Sequence, residues 1–170
     1  MPVPDLNATP GAPDANSYVT LEEADEYVAA LAGPSARAWE QLDEDAKKRA
    51  LLTATRRLDQ EEYAGRKASN AQALKWPRVG VRDEDGRTYP SDVVPEVVKN
   101  AQVELALRYG DGSSDPFGTG DLDAFSAVTV GPIEIELRDA PKPGALPDHV
   151  RRLLSHVLVG SGVTFRLVRG

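Results

Sequence analysis

The rhythm of apolar and polar positions changes once along this chain. Up to about residue 110 the apolar residues recur every three or four positions; beyond it they come in short alternating runs broken by Pro, Gly and Asp. Thr20 and Glu23 form a capping box ahead of Leu21, Ala24, Val28 and Leu31, with Glu22, Asp25 and Glu26 facing outward and Tyr18 or Val19 placed to staple the entry. Gly33-Pro34 ends this helix, and Ser35 is expected to cap a short one through Trp39 and Leu42. Asp43 restarts the pattern for a longer helix to about Asp59, its stripe made by Ala46, Ala50, Leu51, Ala54 and Leu58. A short helix is predicted over 71–75. It stops at Trp76-Pro77, because proline lacks an amide donor and disfavours α conformation in the residue before it. The Trp76 indole is suited to anchor that corner by burial. A turn follows from Asp83 to Gly86. Pro95 then opens a helix reaching about residue 109, with one apolar row of Val97, Ala101 and Leu105 and another of Val103 and Leu107. Apolar rows on more than one side predict a central helix touched by several neighbours.

Past Gly110 the run DGSSDPFGTGDLD is a loop by its turn residues. Two short strands are predicted, over 126–130 and 133–137, around Gly131-Pro132. Ile133, Ile135 and Leu137 alternate with Glu134 and Glu136, the period of a strand with one buried face. A proline-rich linker over 140–147, a helix over about 148–158 and a terminal strand over 163–168 complete the chain. The expected architecture is mainly α. It divides into a flexible segment over 1–15, a helical-bundle body over 16–110, a loop over 111–125, and a C-terminal arm over 126–170 with short β-strands and one helix. So short an arm cannot easily bury its own strand faces. Val128, Val130, Ile133, Ile135, Leu137, Phe165, Leu167 and Arg169 are therefore candidate contacts for the body or for another chain, by strand addition.

Composition narrows the function. With 170 residues, 41% hydrophobic and 28% charged, the chain is long enough for a real core and carries no membrane span. The first residues have neither a basic start nor an apolar run, so no secretory leader is expected. Zero cysteines remove disulfides, thiolate catalysis and cysteine-ligated zinc, and cytoplasmic synthesis is expected. The net charge of −7 is uneven: residues 1–64 carry −7, residues 65–124 carry −2 and residues 125–170 carry +2. An acidic body argues against a general duplex-DNA binder. Arg66, Lys67, Lys75, Arg78 and Arg82 nonetheless form a run without an acid between Tyr63 and Asp83. It reads either as a solvated loop balancing acidic neighbours or as a contact surface for an acidic partner.

No reaction chemistry accompanies these features. His149 and His156 are seven apart on the predicted helix but lack further ligands. Asp83-Glu84-Asp85-Gly86 lacks the spaced ligands and closing Glu of a calcium loop, and a turn accounts for it better. The loop with Asp111, Asp115, Asp121 and Asp123 is the remaining acidic group that could gather a divalent ion. Gly118-Thr119-Gly120 and Gly110-Asp111-Gly112 lack the rest of a phosphate or dinucleotide fingerprint. Glu22-Glu23 and Glu61-Glu62 read as solvated helix faces. Trp39, Trp76, Tyr63 and Tyr89 lie near the basic run, where base stacking is conceivable, but packing explains both Trp residues, which adjoin predicted helices. The sequence predicts no enzyme, no cofactor and no metal.

Several segments, in order, resemble a known family. They are Ala15-Asn16-Ser17-Tyr18-Val19-Thr20-Leu21-Glu22-Glu23-Ala24-Asp25, Lys48-Arg49-Ala50-Leu51-Leu52-Thr53-Ala54-Thr55-Arg56-Arg57-Leu58-Asp59 and Ala71-Gln72-Ala73-Leu74-Lys75-Trp76-Pro77-Arg78. Pro95-Glu96-Val97-Val98-Lys99-Asn100-Ala101, Glu104-Leu105-Ala106, Val130-Gly131-Pro132-Ile133, Arg152-Leu153-Leu154 and Arg166-Leu167-Val168-Arg169-Gly170 continue the match. Together they resemble the head–tail connector proteins (neck adaptor or head-completion proteins) of tailed phages and prophages, many of which are described as DnaT-like single-stranded-DNA-binding proteins. The resemblance implies a virion structural protein made in the host cytoplasm. It would form a homo-oligomeric ring, a dodecamer, beneath the portal protein and join it to a tail-side stopper or tail terminator protein. DNA would pass through the lumen without sequence-specific binding, and the arm would clasp the portal or a neighbouring subunit. The alternative is a single-stranded-DNA-binding replication accessory protein that uses Arg66, Lys67, Lys75, Arg78 and Trp76.

Overall fold

The computed structural model describes residues 2–110, 128–130, 133–135 and 146–159. The fold is mainly α. Its helices are α1 (Leu21–Ala29), α2 (Pro34–Glu40), α3 (Glu44–Leu58), α4 (Glu96–Gly110) and α5 (Asp148–Leu153). Among the described residues two small antiparallel ribbons accompany them: β1 (Arg66–Lys67) with β2 (Arg78–Val79), and β3 (Val128–Val130) with β4 (Ile133–Ile135).

The capping logic of the sequence is realised at α1 and α3. The Thr20 hydroxyl accepts from Glu23 N at 3.2 Å, and Thr20 N donates to the Glu23 carboxylate at 2.8 Å. Asp43 caps α3 by accepting from Ala46 N at 2.7 Å. The short second helix differs from expectation. It starts at Pro34, with Gly33 at the cap and no side-chain capping bond, because proline at the first helical position brings a preset φ and no orphan amide.

Helix α4 is the centre, packed against α1, α2, α3 and α5. Val98, Ala101, Gln102, Val103, Leu105, Ala106 and Leu107 are buried around nearly its whole circumference, as its two apolar rows predict. The α3 stripe of Ala50, Leu51, Ala54 and Leu58 packs on it, and small residues on both helices permit a close approach. Gln102 is the polar residue at the middle of this core, fully buried. Its side-chain carbonyl accepts from Tyr18 N at 2.9 Å, and its amide donates to Ser17 Oγ at 2.8 Å and Leu51 O at 3.2 Å. Every polar atom of that amide group is therefore used, which a buried amide requires.

Two expectations are corrected. No helix forms over 71–75. Gln72 is buried, and its side chain bonds Ser69 N, Leu74 O and Pro77 O, while Ala73 N donates to Ala12 O. Backbone groups that a helix would pair internally are held by a side chain and by the N-terminal segment. The second correction concerns α5, which ends at Leu153 and not near residue 158. Beyond it residues 154–157 form a hydrogen-bonded turn, with Val157 N and Leu158 N both on Leu154 O, and Leu158 then bridges Tyr63, with Val159 N donating to Glu62 O and Ala64 N to Val157 O. His149 and His156 thus do not share one helix face.

Residues 146–159, placed in the arm by composition, are rooted in the body. Leu146, Val150, Leu154 and Val157 lie in the same core as Trp76 and α4, each contributing about 1.5–3 kcal/mol before ordering entropy is subtracted. Residues 2–15 contact the body too. Asn16 accepts from Asn7 N at 2.8 Å and donates to Asp5 O, and Lys48 pairs with Asp5 at 3.0 Å.

The arm strands form where the alternation predicts, over three residues each. Val128 is opposite Ile135 and Val130 opposite Ile133, so these four positions share one face of the ribbon. Leu137, Phe165, Leu167, Arg169, the loop over 111–125 and the terminal strand over 163–168 lie outside the described residues.

Candidate functional site

The basic run converges only in part. Past the end of α3 the chain turns at Gly65, whose φ of +67° suits glycine, and enters β1. After the 69–77 loop it returns as β2, so Arg66 faces Val79 and Lys67 faces Arg78 in register. Lys67, Lys75 and Arg78 thereby surround one notch, together with Glu62, Tyr63 and Val159. Arg66 stands exposed outside it. Arg82 lies on the next hairpin, where its guanidinium donates to Gly86 O at 3.0 Å.

Arg78 is a structural clamp. Its side chain is buried among four backbone carbonyls: Nε donates to Ala64 O at 2.7 Å, one terminal nitrogen to Lys75 O at 3.1 Å, and the other to Tyr63 O at 3.2 Å and Gly65 O at 2.9 Å. Four of its five N–H donors are used. Burial pulls the guanidinium pKa down, against the nearby Tyr18, Tyr63 and Asp59, which raise it.

Trp76 is equally internal. It is 1% exposed and meets Tyr63 edge-on with ring centroids 5.6 Å apart, after which a cis bond leads to Pro77. Behind it, Asp59 accepts from the Tyr18 hydroxyl and from Lys75 N at 3.2 Å. Burial raises the Asp59 pKa, and the Tyr18 and Lys75 hydrogen bonds oppose that rise. Burial likewise pushes the Tyr18 phenol well above its ordinary value, with Asp59 adding to the effect. Trp39 is also buried, its indole N–H on Asp25 at 2.7 Å and Lys47 above its ring at 5.6 Å. Among the described residues every Trp and Tyr ring is buried or half-buried. A base-stacking platform would need exposed rings.

A second cleft, about 320 Å³, lies between α1, α4 and α5 and is lined by Tyr27, Glu84, Val97, Glu104, His149, Arg152 and Leu153. Tyr27 donates to Glu104 at 2.9 Å, and His149 sits 3.7 Å from the same carboxylate. Burial raises the Tyr27 pKa to about 12, and Glu104 reinforces the shift. His156 lies beyond the cleft, 2.9 Å from the Tyr89 hydroxyl and 3.6 Å from Glu84. Among the described residues no three His, Asp or Glu side chains converge as a metal site would require. Asp83 to Gly86 is the tip of a hairpin, with Gly86 N on Asp83 O and Arg87 N on the Asp83 carboxylate. Among the described residues no helix is long and apolar enough to cross a membrane.

Sequence reasoning missed the Arg78 clamp, the Gln72 scaffold and the seam between 62–64 and 157–159. None has a local signal, since each depends on segments far apart in the chain. No curated protein and no solved structure matches the chain. One family model does, the one described as "Putative DnaT-like ssDNA binding protein", over residues 6–170. The chain is a member of that DnaT-like family.

Proposed function

We propose that this chain is a structural connector subunit of the tailed-phage neck, acting in the virion between portal protein and tail. The observation that carries the reading is the β3–β4 ribbon. Each strand has one hydrogen-bonded neighbour, so among the described residues the ribbon has two unpaired edges. A two-stranded hairpin is marginal alone and is stabilised when another chain adds a strand. The partners in this reading are the portal protein on one side and a stopper or tail terminator on the other. Copies of the chain close a ring, a dodecamer, through head-to-tail contacts whose rotation closes. DNA traverses the lumen without being gripped, as suits an acidic body. No catalytic step and no cofactor enters the proposal.

The family description supports a second reading, single-stranded-DNA binding. The residues first suggested for it fit poorly. Trp76 is buried and Arg78 is spent on carbonyls, which leaves Arg66, Lys67, Lys75 and Arg82 without an exposed Trp or Tyr ring among the described residues. Co-sedimentation with purified portal oligomer separates the readings. Wild-type chain should co-sediment, and Thr129→Pro, which removes a strand amide donor, should not. If wild type stays in the supernatant yet binds labelled oligonucleotide at about micromolar, strongly salt-dependent affinity, the single-stranded-DNA reading replaces this one.

A further inference from the structure

The notch at the end of α3 has a volume of about 290 Å³ and is lined by Glu62, Tyr63, Lys67, Lys75, Arg78 and Val159. Three cations face one acid. Lys67 Nζ donates to Gln72 O and Ala73 O, both at 3.3 Å, and Lys75 Nζ donates to Glu61 O at 2.6 Å. An ammonium has three donors, so among the described residues Lys67 keeps one unused and Lys75 two. The carbonyls also hold both side chains in place, so little rotamer entropy remains to be lost when a ligand arrives.

Charge pairing sets these two residues apart. Lys47, Lys48 and Lys99 each lie within 3.0 Å of a carboxylate. Lys67 and Lys75 have no ion-pair partner among the described residues. Asp59 is close enough to feel both charges, but its oxygens are occupied by Tyr18 and by the Lys75 amide. At the rim Val159 is 59% exposed, one of two large aliphatic side chains so exposed among the described residues.

We propose that this notch receives an acidic peptide segment of a partner protein, a carboxylate seated between Lys67 and Lys75 and an adjacent aliphatic residue covering Val159. The inference rests on the connector reading for there being a protein partner at all. A nucleic-acid strand fits less well. The cations form a single point and not a track, Glu62 stands in the lining, Arg66 and Arg82 lie elsewhere, and the one ring in the lining, Tyr63, is buried and offers no stacking face.

The test uses the full chain, ¹⁵N-labelled, titrated with the acetylated and amidated peptide Glu-Asp-Leu-Asp-Glu. Parallel titrations use inorganic phosphate and an oligothymidylate of about a dozen nucleotides. The peptide should give saturable shifts at the amides of Tyr63, Lys67, Lys75 and Val159. Affinity should fall roughly fivefold in Lys67→Gln, which keeps donors for the two carbonyls but loses the charge. Arg37→Gln, remote on α2, should bind as wild type. The proposal is overturned if the peptide fails to saturate by about 10 mM, or if Lys67→Gln binds equally well with its fold intact by circular dichroism. Tighter saturation of the same amides by phosphate or oligothymidylate overturns it too. Because no portal is present, loss of the notch leaves the co-sedimentation result standing, and a failure of co-sedimentation leaves the notch measurable.

Discussion

Replacing Arg78 with Met removes a buried cation that ties together four backbone carbonyls, three from residues 63–65 and one from Lys75. A hydrogen bond to a charged donor contributes about 1.5–3 kcal/mol, so a sum over four would be several times larger than any realistic loss. Two effects reduce it: water reaches the exposed Gly65 carbonyl, and the cost of burying a guanidinium disappears. The Tyr63 carbonyl, in a buried residue, stays unsatisfied. The net expectation is destabilisation by about 3 kcal/mol. Urea unfolding followed by Trp fluorescence suits the measurement, since Trp39 and Trp76 are both buried. Arg78→Lys should recover less than half, because an ammonium cannot span a fork of carbonyls. If Arg78→Met unfolds within about 0.5 kcal/mol of wild type while oligonucleotide binding is lost, Arg78 is a ligand contact and the clamp is refuted.

Other substitutions probe separate parts of the fold. Leu154→Ala, at a fully buried position, should cost about 2–5 kcal/mol by urea unfolding; a negligible cost would mean that the segment 146–159 is not rooted in the body. Gly65→Ala places a Cβ on the Val79 carbonyl oxygen and 2.9 Å from Val81 Cγ2, at positive φ, and should cost about 2–4 kcal/mol in the same assay. Burial alone would raise the Glu23 pKa, but its bonds from Lys99 and Thr20 N outweigh that and lower it. Its stabilisation is therefore full above the ordinary glutamate range and is lost as pH falls through the lowered value. Glu23→Gln should flatten that acid limb of the stability profile, and an unchanged limb would contradict the assignment.

How much was legible follows from where each signal resides. The Thr20–Glu23 box and the helix restart at Asp43 are local, and both appear as read. The all-round apolarity of α4 announced a central helix, because burial on several sides leaves no polar stripe. The 71–75 stretch has good helix formers, but Gln72 and the N-terminal segment outcompete the helical bonds, and that competition is tertiary. Strands of two residues, Arg66–Lys67 and Arg78–Val79, are too short for any alternation to show. The basic run was visible as composition. Its division into a buried clamp, a notch and outlying arginines depends on β1–β2 register, which no window of sequence contains.

The claim on which the account turns is that the β3–β4 ribbon is completed by another protein. Amide hydrogen exchange over 128–130 and 133–135, with and without saturating portal oligomer, addresses it directly. Protection there should rise by about tenfold or more on adding portal, while the α3 and α4 amides, already in the core, change little. Equal exchange of the ribbon amides in both samples, under conditions where the two proteins demonstrably bind, would contradict it.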